Sequence, residues 1–525
     1  MNILNNFKLN RSKLDSMEVS KDLNIFVENF VSQKEISIKL KSISDILDVD
    51  LNVLQLKTKR ILLSKFDYEE NKFKNLSNYL EIFKECAIFF YIFLKLIFSF
   101  KKANAKIKKT GIILSDIVSI DEIDKFKHIL KRFEHSTIIS NYWECDFKKI
   151  KKNILPKEKT DIQDKYLVEN LIVNYKDSKL NLSYKDKNEK VSLNTDIICR
   201  KDLFFEKESI KDKFKLLKCS FLLMHYSFKE KFNFLFFFNR IVFSYIINFS
   251  IFKNYKSKIL LQDRIYNTCA IRNSLFKKMG GEVAACVQSH IAEGSINMFG
   301  DTDLLFTFGQ EKDTVKDMVE FGSKIRKSVP VGSLRYEGYC INAGEGFFSK
   351  EKVDILILGV NLTSWFFITE KQQACYYDFL KLMRLISIKH KNLNIYIKHH
   401  PNNFDDSIER DILKDSNVKY IDKLSNSYRY FKNTKLFFSF SSSMIAEVYG
   451  AEKIGYFINP SDNDVFFKTN RAYKKIVLNN YKQVDEIIQK YIVENKAVEN
   501  NFSDICLKSD KVSELIFHNL ITQKI

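Results

Sequence analysis

The chain has 525 residues, 45% of them apolar, and a formal net charge of +20. That is length for roughly three domains and ample material for globular cores. With only four prolines and fourteen glycines, long disordered linkers are excluded, and no fixed-period internal repeat is present. The Lys, Ile, Asn and Phe excess resembles an AT-rich codon bias, so part of the basicity carries no functional message. The rest fits attraction to an anionic membrane surface better than nucleic acid, because no nucleic-acid motif accompanies it. The nine cysteines, among them Cys86, Cys145, Cys199, Cys219 and Cys269, form no CxxC pair and no regular framework. Reduced thiols in a cytoplasm are expected.

Residues 1–105 read as a helical N-terminal extension. DLNIFVENFVSQ and LSNYLEIFKECAIFF place apolar residues three and four apart, with no constellation that carries chemistry. The first residues lack an apolar signal core, so a cytoplasmic chain is expected. Residues 86–100 are apolar but too short for a span and contain Lys95. Residues 232–252 are long enough, at about 20 residues, to cross a bilayer. They contain Arg240 and three asparagines, and a central Arg costs about 2.5–3.5 kcal/mol in a membrane. A Phe-rich core helix is therefore expected there. A helix lying in the membrane surface is the alternative, and a true span the weakest reading.

From about residue 106 the pattern alternates. TGIILSD, IDEIDKFKHILKRF and STIISN read as strand, helix and strand, the signature of βα units on a parallel sheet. Residues 175–200 are polar and alternating, as in a small hairpin insertion. KSKILLQD ends in Gln262 and Asp263. The next helix closes at Gly280 and Gly281, with Lys277 and Lys278 in its last turn. EVAACVQSHIAEG, DLLFTFG, a polar helix and KSVPVGSLRYEGY complete a Rossmann-like domain over 106–340. A polar connector, 341–352, leads into VDILILGVN and a second α/β domain over 353–525 with C-terminal helices.

Two strand ends in that second domain carry the chemistry. NLNIYIKHHP finishes in Lys398, His399, His400 and Pro401. TKLFFSFSSS finishes in Ser441, Ser442 and Ser443, directly before the helix-like MIAEVYGA. In an open α/β sheet ligands bind at the carboxyl ends of the strands. Hydroxyls and backbone N–H groups at a helix start favour an anion. His400 can donate to a phosphate oxygen, and Pro401 fixes the exit of the chain. Lys398 alternates with His400 on one face and can offset phosphate charge. One of the serines is expected to cap the helix, the others to bind phosphate. Glu447, one turn in, suits ribose hydroxyls or simply the helix start. Asn361 and Thr363 follow the first strand of this domain, near a leaving phosphate.

The order of these pieces resembles the GT-B glycosyltransferases. It is most similar to bacterial surface-polysaccharide enzymes, the CMP-sugar-using sialyltransferases and capsular Kdo transferases. The CDP-glycerol glycerophosphotransferases share a related layout. The matching residues are His400-Pro401 and Ser441–Ser443, which the resemblance assigns to the donor nucleotide and its phosphate. CVQSHIAEG adds Gln288 and His290. Glu293-Gly294 resembles the acidic-acidic-Gly motif of bacterial sialyltransferases, with Ala292 at the first acidic position. The likeness spans about 106–480. It implies two Rossmann-like domains facing a cleft behind an α-helical extension. It also implies transfer of a sugar from a nucleotide-activated donor, CMP-linked or alternatively UDP- or CDP-linked, to a lipid-linked or glycan acceptor.

A transferase of this kind needs a group that deprotonates the acceptor hydroxyl. Glu293, Asp263 and His290 are the candidates, in that order. Asp263 can instead cap the following helix, and His290 can be a satisfied core residue. Asp301 and Asp303 have the spacing of a metal-binding pair but lead directly into an apolar strand, so neither metal nor other cofactor is expected. The expected location is the cytoplasm, peripheral at the inner face of the plasma membrane. Two rival readings are a CDP-glycerol or polyol-phosphate transferase and a non-catalytic assembly protein that keeps the two-domain cleft.

Overall fold

Two sheets whose parallel cores share one strand order dominate a computed structural model of the chain. It describes residues 27–66, 79–98, 107–117, 120–140, 171–176, 179–186, 189–198, 210–229, 232–263, 269–287, 300–310, 312–320, 322–341, 345–359, 370–399, 406–461, 471–497 and 502–522. The first sheet contains β1 (Ile112–Ile117), β2 (Ser136–Ser140), β3 (Leu171–Lys176), β4 (Lys179–Asp186), β5 (Glu189–Ile198), β6 (Ile259–Gln262), β7 (Glu282–Cys286), β8 (Asp301–Thr307) and β9 (Lys324–Pro330). Their order across the sheet is β9-β8-β7-β6-β1-β2-β5-β4-β3. Only the β3-β4-β5 meander at the edge is antiparallel. It includes the segment read from sequence as a hairpin insertion. The second sheet holds β10 (Val353–Leu358), β11 (Ile395–Lys398), β12 (Val418–Ile421), β13 (Thr434–Ser439), β14 (Ile454–Ile458) and β15 (Val477–Leu478). Its order is β12-β11-β10-β13-β14-β15, parallel throughout.

In both sheets the parallel strands run outward one way from the first strand and then restart on its other side. That is the doubly wound, Rossmann-type arrangement, and the fold class read from sequence is the one found. In the first sheet the reversal lies between β1 and β6, in the second between β10 and β13.

The apolar alternation of the first sheet's strands fixes its two covering layers. Ile113, Leu260 and Val283 face a helical layer, while Ile112, Leu114, Leu261, Ala284 and Leu304 face the opposite core. The helical layer holds α1 (Lys34–Leu47), α2 (Leu51–Phe66) and α3 (Tyr79–Phe98) of the N-terminal extension. These pack with α5 (Ile210–Lys229), α6 (Phe234–Asn254) and α7 (Ala270–Lys278). The other face is covered by α4 (Ile120–Leu130) and by the last helix, α13 (Val512–Thr522). Between these come α8 (Lys312–Glu320), α9 (Glu370–Lys389), α10 (Ser407–Leu413), α11 (Met444–Gly450) and α12 (Tyr481–Ile488).

α6 is the Phe-rich segment, long and apolar enough to cross a membrane. It starts at Asn233, whose side chain accepts from Phe236 N at 3.1 Å, a standard helix cap. Leu235, Phe238, Ile241 and Ile251 are fully buried against the chain's own helices. Its polar residues are met by α3. Asn239 donates to the Glu85 carboxylate at 2.8 Å and its carbonyl at 2.9 Å, and Arg240 donates to the same carboxylate at 3.1 Å. This is the core-helix arrangement expected from its composition.

The last helix departs from the sequence reading, which grouped it with the second domain. Residues 502–511 cross back between the domains, where Leu507 N donates to Phe308 O (2.8 Å) and Ser509 N to Gly450 O (2.9 Å). α13 then buries Val512, Ile516 and Leu520 in the first domain's core. A helix with one apolar stripe goes where an uncovered sheet face remains, and sequence order does not reveal which face that is.

Candidate functional site

In a doubly wound sheet the connections on either side of the reversal leave toward opposite faces, opening a crevice at the strand ends. Each reversal here carries residues singled out by the sequence.

At the first, β1 ends with Asp116, a non-glycine residue at φ +69°. Strained backbone of this kind persists only where the surroundings hold it. Here Arg272 of α7 grips the Asp116 carboxylate with both terminal nitrogens, at 2.9 and 2.7 Å, both partners buried. Gln262 and the neighbouring Asn273 exchange amide hydrogen bonds at 3.0 and 3.2 Å, and Asn273 also donates to Asp301 O. α7 is thereby fixed to the strand ends. Its far end closes as the sequence predicts. Gly280 takes φ +81°, which a side chain would strain, and Gly281 N returns to Phe276 O. Lys277 does more than complement the helix end. It pairs with Asp301 (2.7 Å) and Asp303 (3.3 Å), which accounts for both acidic residues of the metal-like spacing.

Asp263 follows β6, and its N–H donates to Ser115 O at 3.0 Å across the reversal. It caps no helix in the described residues. Its carboxylate is fully buried and lies 2.5 Å from Lys125 Nζ of α4. Burial raises the Asp263 pKa, with Lys125 and Arg335 opposing. Burial likewise pulls Lys125 down to about 8, with Asp263 opposing. A carboxyl and an amine displaced toward each other in this way form a proton-exchanging pair or a structural ion pair. Together with Cys286, Val287, Phe308 and Ser333–Arg335 they line a cavity with room for the centre of a single water, about 10 Å³.

Ser333 and Arg335 follow β9 at the end of the first domain, and Ser333 links it to the second. Ser333 Oγ donates to Glu447 of α11 at 2.6 Å, and Tyr428 OH donates to the same carboxylate oxygen at 2.7 Å. Glu447 is fully buried. Burial raises its pKa, and Arg335 is the strongest opposing influence. Glu447 therefore clamps the second domain to the end of the first. It is not an open acceptor for ribose hydroxyls, as one sequence reading had it.

At the second reversal the groups are neutral. Ser439 Oγ donates to Leu358 O (3.1 Å) and accepts from Ser442 N (2.8 Å), stitching β13 to β10 and closing the serine turn. Ser442 Oγ accepts from Met444 N at 3.4 Å. Ser443 occupies the cap position of α11 but makes no side-chain cap bond. Ser441 is the exception. Its Oγ is buried, with the residue 8% exposed, and has no hydrogen-bond partner among the described residues. An unmet buried hydroxyl costs about 1–3 kcal/mol, and Ser441 is the only serine of this turn in that state among the described residues.

Lys398 departs from expectation. Its Nζ donates to the carbonyls of His399 (2.5 Å) and Lys423 (2.8 Å). It ties two loops together through their carbonyls. Burial pulls its pKa down to about 8, with Asp422 opposing. The sequence reading passed over His399, whose Nε2 lies 2.7 Å from Glu409 Oε1. Tyr376 OH donates to the other oxygen of Glu409 at 2.8 Å. The ring packs against Gly359 so closely that any side chain there would collide with it. The doubled histidine was the available signal, but α10, which supplies Glu409, was not legible as a helix. Glu293, His290, His400, Pro401, Asn361 and Thr363 lie outside the described residues.

No protein-family model and no curated protein sequence matches the chain. Solved structures resemble it distantly. A UDP-GlcNAc 2-epimerase from Methanocaldococcus jannaschii shares 11% identity at TM-score 0.41, covering 78% of this chain and 98% of that one. A Neisseria meningitidis UDP-GlcNAc 2-epimerase bound to UDP-GlcNAc shares 9% at TM-score 0.40, covering 79% and 100%. Acinetobacter baumannii MurG shares 10% at TM-score 0.33, covering 80% and 100%.

Proposed function

We propose that the chain is a glycosyltransferase of surface-polysaccharide synthesis. It would work at the inner face of the plasma membrane and move a sugar from a nucleotide-activated donor to a lipid-linked or glycan hydroxyl. The observation that carries this reading is the second reversal. A tight serine turn with one buried, unmet hydroxyl, Ser441, sits beside the end of β10 in a domain of dinucleotide-binding topology. A CMP-linked donor follows from the resemblance of His400-Pro401 and Ser441–Ser443 to the CMP-sugar enzymes. UDP- and CDP-linked donors are the alternatives.

In the reaction, the bond from the anomeric carbon to the donor phosphate oxygen breaks as the acceptor oxygen bonds to that carbon. The acceptor proton passes to a general base, for which the carboxylates of Glu293 and Asp263 are the first and second candidates and the His290 imidazole the third. Asp263 would have to release Lys125 to act, so its ion pair favours a supporting role. The nucleotide leaves with its negative charge, which hydroxyls and backbone N–H groups at the serine turn and His400 would stabilise. This reading uses no metal, so activity should survive EDTA.

The test is incubation of the purified chain with CMP-, UDP- and CDP-linked donors and a membrane lipid extract, followed by mass analysis of the product. Sugar transfer that drops at least roughly a hundredfold in Glu293→Gln supports the reading. Transfer of a polyol phosphate moves the chain to the glycerophosphotransferase class. Nucleotide binding without turnover, unaffected by Glu293→Ala, makes it a binding protein.

A further inference from the structure

The most apolar helix, α6, is buried, yet two of its neighbours turn large apolar side chains to water. On α3, Leu80, Phe83, Ala87, Phe90 and Leu94 are exposed and recur three and four residues apart, with exposed Tyr91 beside Phe90, so they form one stripe. The opposite stripe, Ile82, Cys86 and Phe89, is buried in the core. Leu80 is 75%, Phe83 61% and Tyr91 59% exposed. On α5 the exposed stripe is Lys218, Phe221, Leu222, His225 and Lys229, with Phe221 53% exposed. The two stripes join. Phe90 and Phe221 meet edge to face at 6.4 Å, and Phe83 packs on Phe228 at 5.2 Å.

A contiguous face of this kind marks an interaction site. We infer that the α3–α5 face is where the chain docks on an anionic lipid bilayer. Charge selects that partner. Lys84 (paired with Glu81 at 3.6 Å), Lys218 and Lys229 are exposed beside the apolar side chains. The sequence leaving α3 carries Lys101, Lys102, Lys106, Lys108 and Lys109, in a chain of net charge +20. Aromatic side chains set among lysines suit the headgroup boundary, the rings entering the acyl edge and the ammonium groups meeting lipid phosphates. A second copy would bring like charges together. The inference deepens the membrane-surface part of the proposed function and assigns the contact to α3 and α5, not to the buried α6.

The experiment is co-sedimentation of the full chain with vesicles of phosphatidylcholine alone or mixed with phosphatidylglycerol. The wild type should bind the mixed vesicles and scarcely bind the neutral ones. A triple variant, Leu80→Glu with Phe83→Glu and Phe221→Glu, should lose binding by roughly tenfold or more while keeping the wild-type melting midpoint. Lys218→Glu with Lys229→Glu should weaken binding at low salt and little at high salt. Full binding by the triple variant would overturn the proposal, as would a wild type that ignores anionic vesicles. So would a dimer that the triple variant dissolves, because the face would then serve self-association. Vesicle binding needs neither donor nor acceptor, so its failure leaves glycosyl transfer standing, and the failure of transfer leaves the docking face standing.

Discussion

The two domains repeat one strand order but finish their reversal points in opposite ways. The first closes its crevice with buried charges already paired to each other, Asp116 with Arg272 and Asp263 with Lys125. The second lines its crevice with neutral serines, one of which has no partner among the described residues. Charge pairs that satisfy each other hold a structure and leave little for a ligand. A neutral turn with an unmet hydroxyl can accept an anion with no prior ion pair to break. On this physical ground the first reversal is a structural anchor with a buried acid–base pair, and the proposed donor site falls at the second.

The largest effect should come from breaking the anchor. Arg272→Ala leaves the Asp116 carboxylate buried without its partner and should cost about 3–5 kcal/mol, read as a lowered denaturant midpoint. A midpoint close to wild type would mean that the first reversal does not hold the domain. Glu447→Ala comes next, because it strips the acceptor from Ser333 and Tyr428 together. A loss of about 2–3 kcal/mol is expected, with calorimetry resolving two transitions where the wild type shows one. A single sharp transition would show that the clamp is dispensable to domain coupling.

The third prediction concerns pH. Lys398 is held near 8 in the fold and titrates near 10.4 when unfolded. Between these values the unfolded chain keeps a proton that the folded chain has lost, so raising pH through this window adds stability. Lys398→Met should flatten that rise in a pH series of melting midpoints. An unchanged slope would show that its two carbonyl bonds keep the ammonium charged. Ser441→Ala should be the mildest, within about 1 kcal/mol of wild type and of either sign, since it removes a hydroxyl with no hydrogen-bond partner among the described residues. A large loss would reveal a structural bond at that hydroxyl and weaken its assignment to a ligand.

Most of the fold was legible because its strands are short apolar runs between helices of clear periodicity. VDILILGVN and TKLFFSFSSS begin at Val353 and Thr434, where β10 and β13 begin. The serine turn was legible for the same reason, as polar residues at the end of an apolar run. What escaped was long-range pairing. Nothing in the sequence says that Lys125 reaches Asp263 across more than a hundred residues, or that Lys398 folds back onto Lys423. One partner of Glu447, Ser333, likewise lies in the first domain, over a hundred residues earlier. Strand ends place a side chain at the right edge, but the partner that decides its role arrives from elsewhere in the chain.

Nucleotide-induced thermal shift is the most direct measurement, with CMP, CDP, UDP and GDP tested on wild type, Ser441→Ala and His400→Ala. A nucleotide at a hundred times its dissociation constant should stabilise the wild type by about 2.7 kcal/mol. In Ser441→Ala that nucleotide should bind roughly tenfold more weakly, and in His400→Ala the shift should vanish. A wild type indifferent to every nucleotide, or a Ser441→Ala chain with the full shift, would contradict a donor site at the second reversal.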